Sequence, residues 1–309
     1  MSKRILSYVI AAVMALSLIC IAVPEQAAAA SKPYMKVSAD YMGKPRDKVG
    51  NYYIWVEESK KTSALKCAAS LKGTKKTLKR VTKEKFYVDE GEDAGDIGNY
   101  HVADSVVTDG TTIYYGLINN KKATYTIYKT NVKGKKHTKI VTLKKILPSV
   151  NSVVLAGCYG GKLYYSLEKE WGNASDLYAW DLSKKKKERI GAYTYMAVSS
   201  YGKYLLCQEW PEGPSHWLYN AESKEFHGLP ALADEAYYGE VVYGKTVYYL
   251  EKNEQNHSMI LKKCGLSGEN PVTLKVLKNT DFSNIVHLGM KAVYYTEGDS
   301  KTVKSWTYK

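Results

Sequence analysis

A chain of 309 residues is too long for a disulfide-stapled module, and 45% apolar against 25% charged residues excludes general disorder. The formal net charge of +14 points to anionic partners, while 28 Tyr against 3 Phe is a strand-forming composition, because tyrosine offers a sheet a flat apolar body with a hydroxyl for water. No zinc-protease, paired-cysteine, nucleophile-elbow or phosphate-loop motif occurs, so no catalytic residue, metal or cofactor is expected.

The N-terminus carries Lys3 and Arg4, an apolar run from Ile5 to Val23, Pro24 and the small-residue tail Ala27 to Ala30. This is the order of a signal peptide, with cleavage near Ala29 or Ala30. Residues 1–30 are expected to be removed on export, leaving one domain over 31–309, secreted or associated with the cell surface. A retained anchor is the alternative, since the run is nearly long enough to span a bilayer. Lipid attachment at Cys20 is disfavoured by Ile19, which stands where a small residue is needed. The loss of two bases and one acid, Lys3, Arg4 and Glu25, leaves +13, so the basicity belongs to the exported domain. Its anionic partners would be cell-wall polymer or an acidic membrane surface rather than nucleic acid. Export permits disulfides, with three pairings of Cys67, Cys158, Cys207 and Cys264, but their wide scatter reads as small buried strand residues with free thiols.

From residue 50 onward an apolar pair follows a glycine turn repeatedly: Tyr52-Tyr53, Tyr114-Tyr115, Tyr164-Tyr165, Leu205-Leu206, Tyr248-Tyr249 and Tyr294-Tyr295. Successive steps are 62, 50, 41, 43 and 46 residues, and each unit reads as four strands joined by tight turns. One such sheet cannot cover its own faces, whereas sheets packed around an axis can. The expectation is an all-β propeller, six blades of four antiparallel strands. A helical repeat is excluded by the β-branched and aromatic runs, and a sandwich gives no reason for sets of four at this period. In the long first step, Lys85 to Val88 reads as an extra strand or part of a loop. The sixth unit ends after Thr302 to Tyr308 without an outer strand, which Tyr34 to Asp40 is expected to supply, closing the ring.

Thr126 to Gly134 and Asp176 to Lys184 resemble the third strand and following turn of TolB-like six-bladed propellers, including uncharacterised propeller domains of exported bacterial proteins. The resemblance covers essentially the whole mature chain. It implies the fold and a binding role, and it carries no active site. Unit four departs from it with Leu205-Leu206, and unit six stops after its third strand.

Three groups of residues remain as site candidates. Asp89 to Asp96 holds five carboxylates, oxygen ligands of the kind calcium takes, but lacks the spacing of a known calcium loop and reads as a solvated connection. Loops after the Tyr-Tyr strands leave on one face, and four or five of the six are acidic, the second unit having Asn119 and Asn120 instead; two of them, in adjacent units, also carry Trp171 and Trp210. With Glu168, Glu170, Glu209 and Glu212, these rings would suit a sugar or a cationic peptide through stacking and directed hydrogen bonds. On the opposite face and outer rim, basic turns present Lys75 and Lys76, then Lys133, Lys135 and Lys136, then Lys184, Lys185, Lys186 and Lys187, a surface for anions. The six histidines are dispersed among different units. The function expected is that of an exported, monomeric, non-catalytic propeller binding an envelope polymer, glycan or protein. The alternative is a glycan-active hydrolase or lyase using two channel-facing carboxylates at controlled separation.

Overall fold

The computed structural model describes residues 32–88, 95–148, 152–170, 174–191, 196–209, 215–232, 239–253 and 255–308. Apart from single 3-10 turns at Pro230–Leu232 and Phe282–Asn284, its regular elements are strands. They run in consecutive antiparallel sets. The first is Lys48–Val49, Tyr52–Glu58, Thr62–Ala68 and Lys76–Thr82, and the second is Tyr100–Thr108, Thr112–Asn119, Thr124–Asn131 and Thr138–Lys144. The third is Val153–Tyr159, Lys162–Glu170, Ala174–Asp181 and Lys186–Gly191, and the fourth is Met196–Tyr201, Tyr204–Glu209, Ser215–Asn220 and Glu225–Gly228. Glu240–Tyr243, Thr246–Asn253, Ser258–Gly265 and Val272–Leu277 form the fifth; Ile285–Leu288, Ala292–Tyr295 and Lys304–Thr307 form the sixth.

Turn chemistry sets these pairings. Gly160 and Gly161, at φ 56° and 73°, make the turn that pairs Tyr159 with Lys162. Both faces of the second strands are then covered, as doublets rather than alternation require: every residue from Ile113 to Ile118 is buried. Consecutive sets share apolar clusters, the first with the second, the second with the third, and so on to the fifth with the sixth. Met290 of the sixth set joins the cluster of the first, which completes the circuit.

Two expectations are corrected. Hydrogen bonding yields four sheets of four or more strands, not six separate blades: the first, third and fifth sets stand alone, while the second and fourth merge into one nine-stranded sheet. Their link is the N-terminal strand Met35–Val37, which pairs with Thr108–Val106 on one side and reaches Tyr201 on the other. It therefore lies on the axis between non-consecutive sets and does not supply an outer strand to the sixth, which has three. The reason is burial. Met35 and Val37 are 9% and 4% exposed beside Val106, whereas an outer strand such as Thr138–Lys144 has no fully buried residue.

Ring closure falls to side chains instead. Asp47, just before the first set, accepts a hydrogen bond from Met290 N at 2.8 Å and meets His287 Nε2 at 2.9 Å. Arg46 lies 4.8 Å from the centre of the Tyr294 ring. In the long first step Tyr87–Val88 pairs with Gly95–Asp96, a small hairpin inserted between the first two sets.

Candidate functional site

Antiparallel meanders sort their connections onto two ends. Turns between first and second strands, and between third and fourth, share one end, shown by Val132 N donating to Thr111 O and Leu182 N to Gly161 O. The lysine turns lie here. Lys133, Lys135 and Lys136 are exposed, as are Lys184 to Lys187, and among the described residues none of them forms an ion pair. Lys75 Nζ lies 5.9 Å from the Trp55 ring centre, and Lys76 Nζ donates to the carbonyls of Val132, at 3.3 Å, and Lys133, bridging the first and second sets.

The third set's lysine hairpin is a built turn. Asp181 Oδ1 accepts from Ser183 N, Ser183 Oγ and Lys184 N at 2.9, 2.8 and 2.8 Å, while Lys185 takes φ 53° and donates its N–H to Asp181 O. These bonds, the one from Lys184 N foremost, hold the Asp181 carboxyl below its usual range and keep it ionised. Lys187 Nζ rests 4.6 Å from the Tyr178 ring centre.

At the opposite end the acidic loops are largely neutralised within their own sheets. Glu57 pairs with Lys66, Glu251 with Lys262, Glu58 with Lys83 at 2.9 Å and Glu297 with Lys304 at 2.6 Å. Trp171, Trp210 and Glu212 lie outside the described residues, as do the side chains of Glu170 and Glu209. Glu168 is half-buried near the end of its strand, its N–H donating to Ser152 O. Of the acidic stretch 89–96 only the last two residues are described, and Asp96 accepts from Phe86 N and Gly98 N. Among the described residues no three His, Cys, Asp or Glu converge to hold a metal.

A cleft of about 670 Å3 that sequence reasoning missed opens at this end, between Tyr41 and Met42 on one lip and Glu57, Glu58 and Asp104 on the other. Asp40 shapes the lip: its buried carboxylate accepts from Met42 N and Lys44 N and pairs with Arg46 Nε at 2.7 Å. Asp104 sits where the register of Tyr100–Thr108 shifts between Val102 and Val106. Desolvation raises its pKa, Glu58 adds to the rise, and Lys83 opposes it. The one signal in the sequence is a carboxylate inside the β-branched run His101 to Val107.

The axis itself is filled. Lys36 N donates to Ser200 Oγ at 2.9 Å, and its ammonium is ringed by protein, which pushes its pKa down to about 8 against the opposing pull of Cys207 and Glu240. Glu240 Oε1 faces His216 Nε2 at 3.3 Å, both side chains fully buried. The described axis thus presents one carboxylate beside a histidine and a lysine. All four described cysteines are free and buried, and burial pushes the thiols of Cys158 and Cys207 up to about 12 and that of Cys264 to about 11.

No family model matches the sequence, and no curated protein matches it. Solved structures do. The β-propeller domain of the Trilobed protease from Pyrococcus furiosus is 13% identical with a TM-score of 0.52, over 80% of this chain and 71% of that one. Acylaminoacyl peptidase from Pyrococcus horikoshii is 13% identical with a TM-score of 0.51, over 80% of this chain but only 40% of the peptidase. TolB from Acinetobacter baumannii is 11% identical with a TM-score of 0.46, and the chain spans 65% of its length. Likeness at this identity is likeness of fold, and with the packed circuit of antiparallel sheets it establishes the chain as an all-β propeller.

Proposed function

We propose that this chain is an exported, non-catalytic propeller that docks to an anionic component of the cell envelope through the lysine-rich end of its ring. The observation that carries this reading is the sorting of charge. The third-to-fourth-strand turns of the second and third sets concentrate exposed lysines without ion-pair partners among the described residues, Lys133, Lys135, Lys136 and Lys184 to Lys187, while at the other end Glu57, Glu58, Glu251 and Glu297 are paired with lysines. The positive potential of the molecule is thereby directional. Export rests on the N-terminal order of basic, apolar and small residues. The hydrolase alternative is moved off the axis, which Met35–Val37 occupies, and would have to use the cleft beside Asp104, where Glu57 and Glu58 are paired with lysines.

The test is binding of the purified protein to isolated envelopes at low and physiological salt. Binding should weaken steeply as salt rises, because exposed charges are screened within about 8 Å at 0.15 M. Reversal of Lys133, Lys135, Lys184 and Lys186 to Glu should abolish it, and reversal of Lys60, Lys61, Lys121 and Lys122, with the same change of net charge, should not. Equal losses from the two sets would leave net charge as the sole cause and overturn the reading.

A further inference from the structure

We propose that a cleft between the first and second sets, at the end opposite the lysine turns, is a saccharide site that takes one neutral sugar unit. It is separate from the anionic docking surface. The cleft has a volume of about 570 Å3, inside the ~300–1,000 Å3 range of small-ligand pockets. Thr82 and Glu84 line it from the first set; Asn99, Tyr100 and Asn119, with the turn 121–122, line it from the second. That turn joins the second and third strands of its set, so it lies at the other end from Lys133, Lys135 and Lys136.

Strand register puts a ring and an amide side by side. Tyr100 pairs directly with Asn119, so both stand on one face of the second set. That face is the one toward the first set, because Tyr100 packs against the cluster that joins Val102 and Leu117 to Leu65 and Val81. Asn99, only 8% exposed, fixes Glu84 beside them: its N–H donates to Glu84 O at 2.6 Å and its Nδ2 to Glu84 Oε2 at 3.1 Å, while its Oδ1 accepts from Lys121 N at 2.9 Å. Asn119 Oδ1 is held in turn by Lys122 N at 2.9 Å. Each polar side chain thus spends one atom on the scaffold and keeps another. Among the described residues, Glu84 Oε1 remains as an acceptor, Asn119 Nδ2 as a donor and the Tyr100 hydroxyl as either, none with a protein partner. Neighbouring hydroxyls of a sugar match this set, one donating to the carboxylate and the next accepting from the amide, while the C–H face of the sugar covers the aromatic ring. An anion would meet the Glu84 carboxylate, and an amine would meet Lys121 and Lys122 in the lining, so a neutral ligand fits best. The scaffold bonds hold the remaining atoms in place before binding, which lowers the ordering cost.

Saturation-transfer NMR on the purified protein decides this, with the methyl glycosides of glucose, galactose, mannose, N-acetylglucosamine and glucuronic acid, and titration of whichever binds. At least one neutral glycoside should bind, and high salt should leave its affinity unchanged. Glu84→Gln keeps an oxygen for Asn99 Nδ2, and Asn119→Asp keeps one for Lys122 N, but each exchanges donor for acceptor at the atom left for the ligand. Each should weaken binding at least tenfold, the scale of one hydrogen bond to a charged group, with the melting temperature unchanged. Glu297→Gln, at the same end but in the sixth set, should weaken it less than twofold. Silence from all the neutral glycosides, or equal affinity in wild type and both cleft variants, overturns the proposal. Preference for the glucuronide, lost in high salt, overturns the neutral-sugar assignment and makes the cleft an anion site. The variant with Lys133, Lys135, Lys184 and Lys186 reversed to Glu should bind the glycoside as the wild type does. If it does, loss of its envelope binding concerns the docking surface alone; if it does not, the two sites are not separate and the proposal fails.

Discussion

Lys36 shows what a single residue must tolerate when a strand is laid along an axis. Its pKa falls from 10.5 to about 8, chiefly through desolvation, with Cys207 and Glu240 pulling the other way. Between those values the unfolded chain holds a proton that the folded one lacks, so this lysine makes stability rise with pH from about 8 to 10.5. Below pH 8 both states are charged, and the full penalty is present. Buried Cys158 and Cys207, both raised to about 12, act in the opposite sense: their unfolded forms ionise first, and stability falls above about pH 9. The wild-type curve is the sum of these terms. The difference between wild type and Lys36→Met isolates the lysine; in urea midpoints it should change by roughly 3 kcal/mol at most between pH 8 and 10.5. A difference that stays flat across that window would mean that the ammonium is solvated. Gly116 sets a second residue-scale limit. A Cβ there would lie 2.1 Å from the Tyr125 ring, which is itself fully buried, so Gly116→Ala should destabilise by about 1–3 kcal/mol in denaturant unfolding.

At the scale of elements, the ring closes without exchanging a strand between its first and sixth sets, and Asp47 carries the seam. Asp47→Ala leaves Met290 N, a part-buried donor, without its acceptor and should cost about 1–3 kcal/mol. Asp47→Asn keeps an oxygen for Met290 N and should recover part of that loss. Hydrogen exchange over 285–295 should quicken in the alanine variant and stay near wild type elsewhere; uniform quickening would refute a local seam. The strand sets themselves were legible because their signals are local: a glycine turn before an apolar doublet, Tyr-Tyr in five of the six units, recurs along the chain, and the first three units add lysine-rich turns. The destination of Met35–Val37 was not legible. Three residues with two apolar side chains satisfy the pattern of an outer edge and of an axis equally well, and only the depth of burial on offer separates them. Joining of the second and fourth sets is non-local for the same reason, since it depends on a segment more than sixty residues upstream of the nearer partner.

For the whole molecule, the exposure of the lysine turns was legible, and the pairing of Glu57, Glu58, Glu251 and Glu297 with lysines was not. Lysines in tight turns stay exposed wherever the sheet puts them, whereas a glutamate at a strand end can be claimed across the ladder, as Glu57 is by Lys66 and Glu251 by Lys262. The cleft beside Asp104 needed the loop 38–43 to be at the mouth of the axis, which followed from the misassigned strand. What survives is a clustering of exposed lysines in the third-to-fourth-strand turns of the second and third sets, and this placement predicts an orientation as well as an affinity. In solution, acetylation of exposed amines should modify Lys60, Lys61, Lys121 and Lys122 at one end and Lys133, Lys135, Lys136 and Lys184 to Lys187 at the other to similar extents, since all are exposed. Bound to an anionic surface, the molecule should retain reactivity only at the first group. The second group faces the surface, where attraction falls off within about 8 Å at 0.15 M salt, so a tilted or inverted molecule would hold its charges beyond useful range. Peptide mass mapping before and after adsorption should therefore show at least several-fold protection confined to 133–136 and 184–187. Protection spread evenly over both ends would mean that the surface reads only total charge, and the directional sorting would have no role in docking.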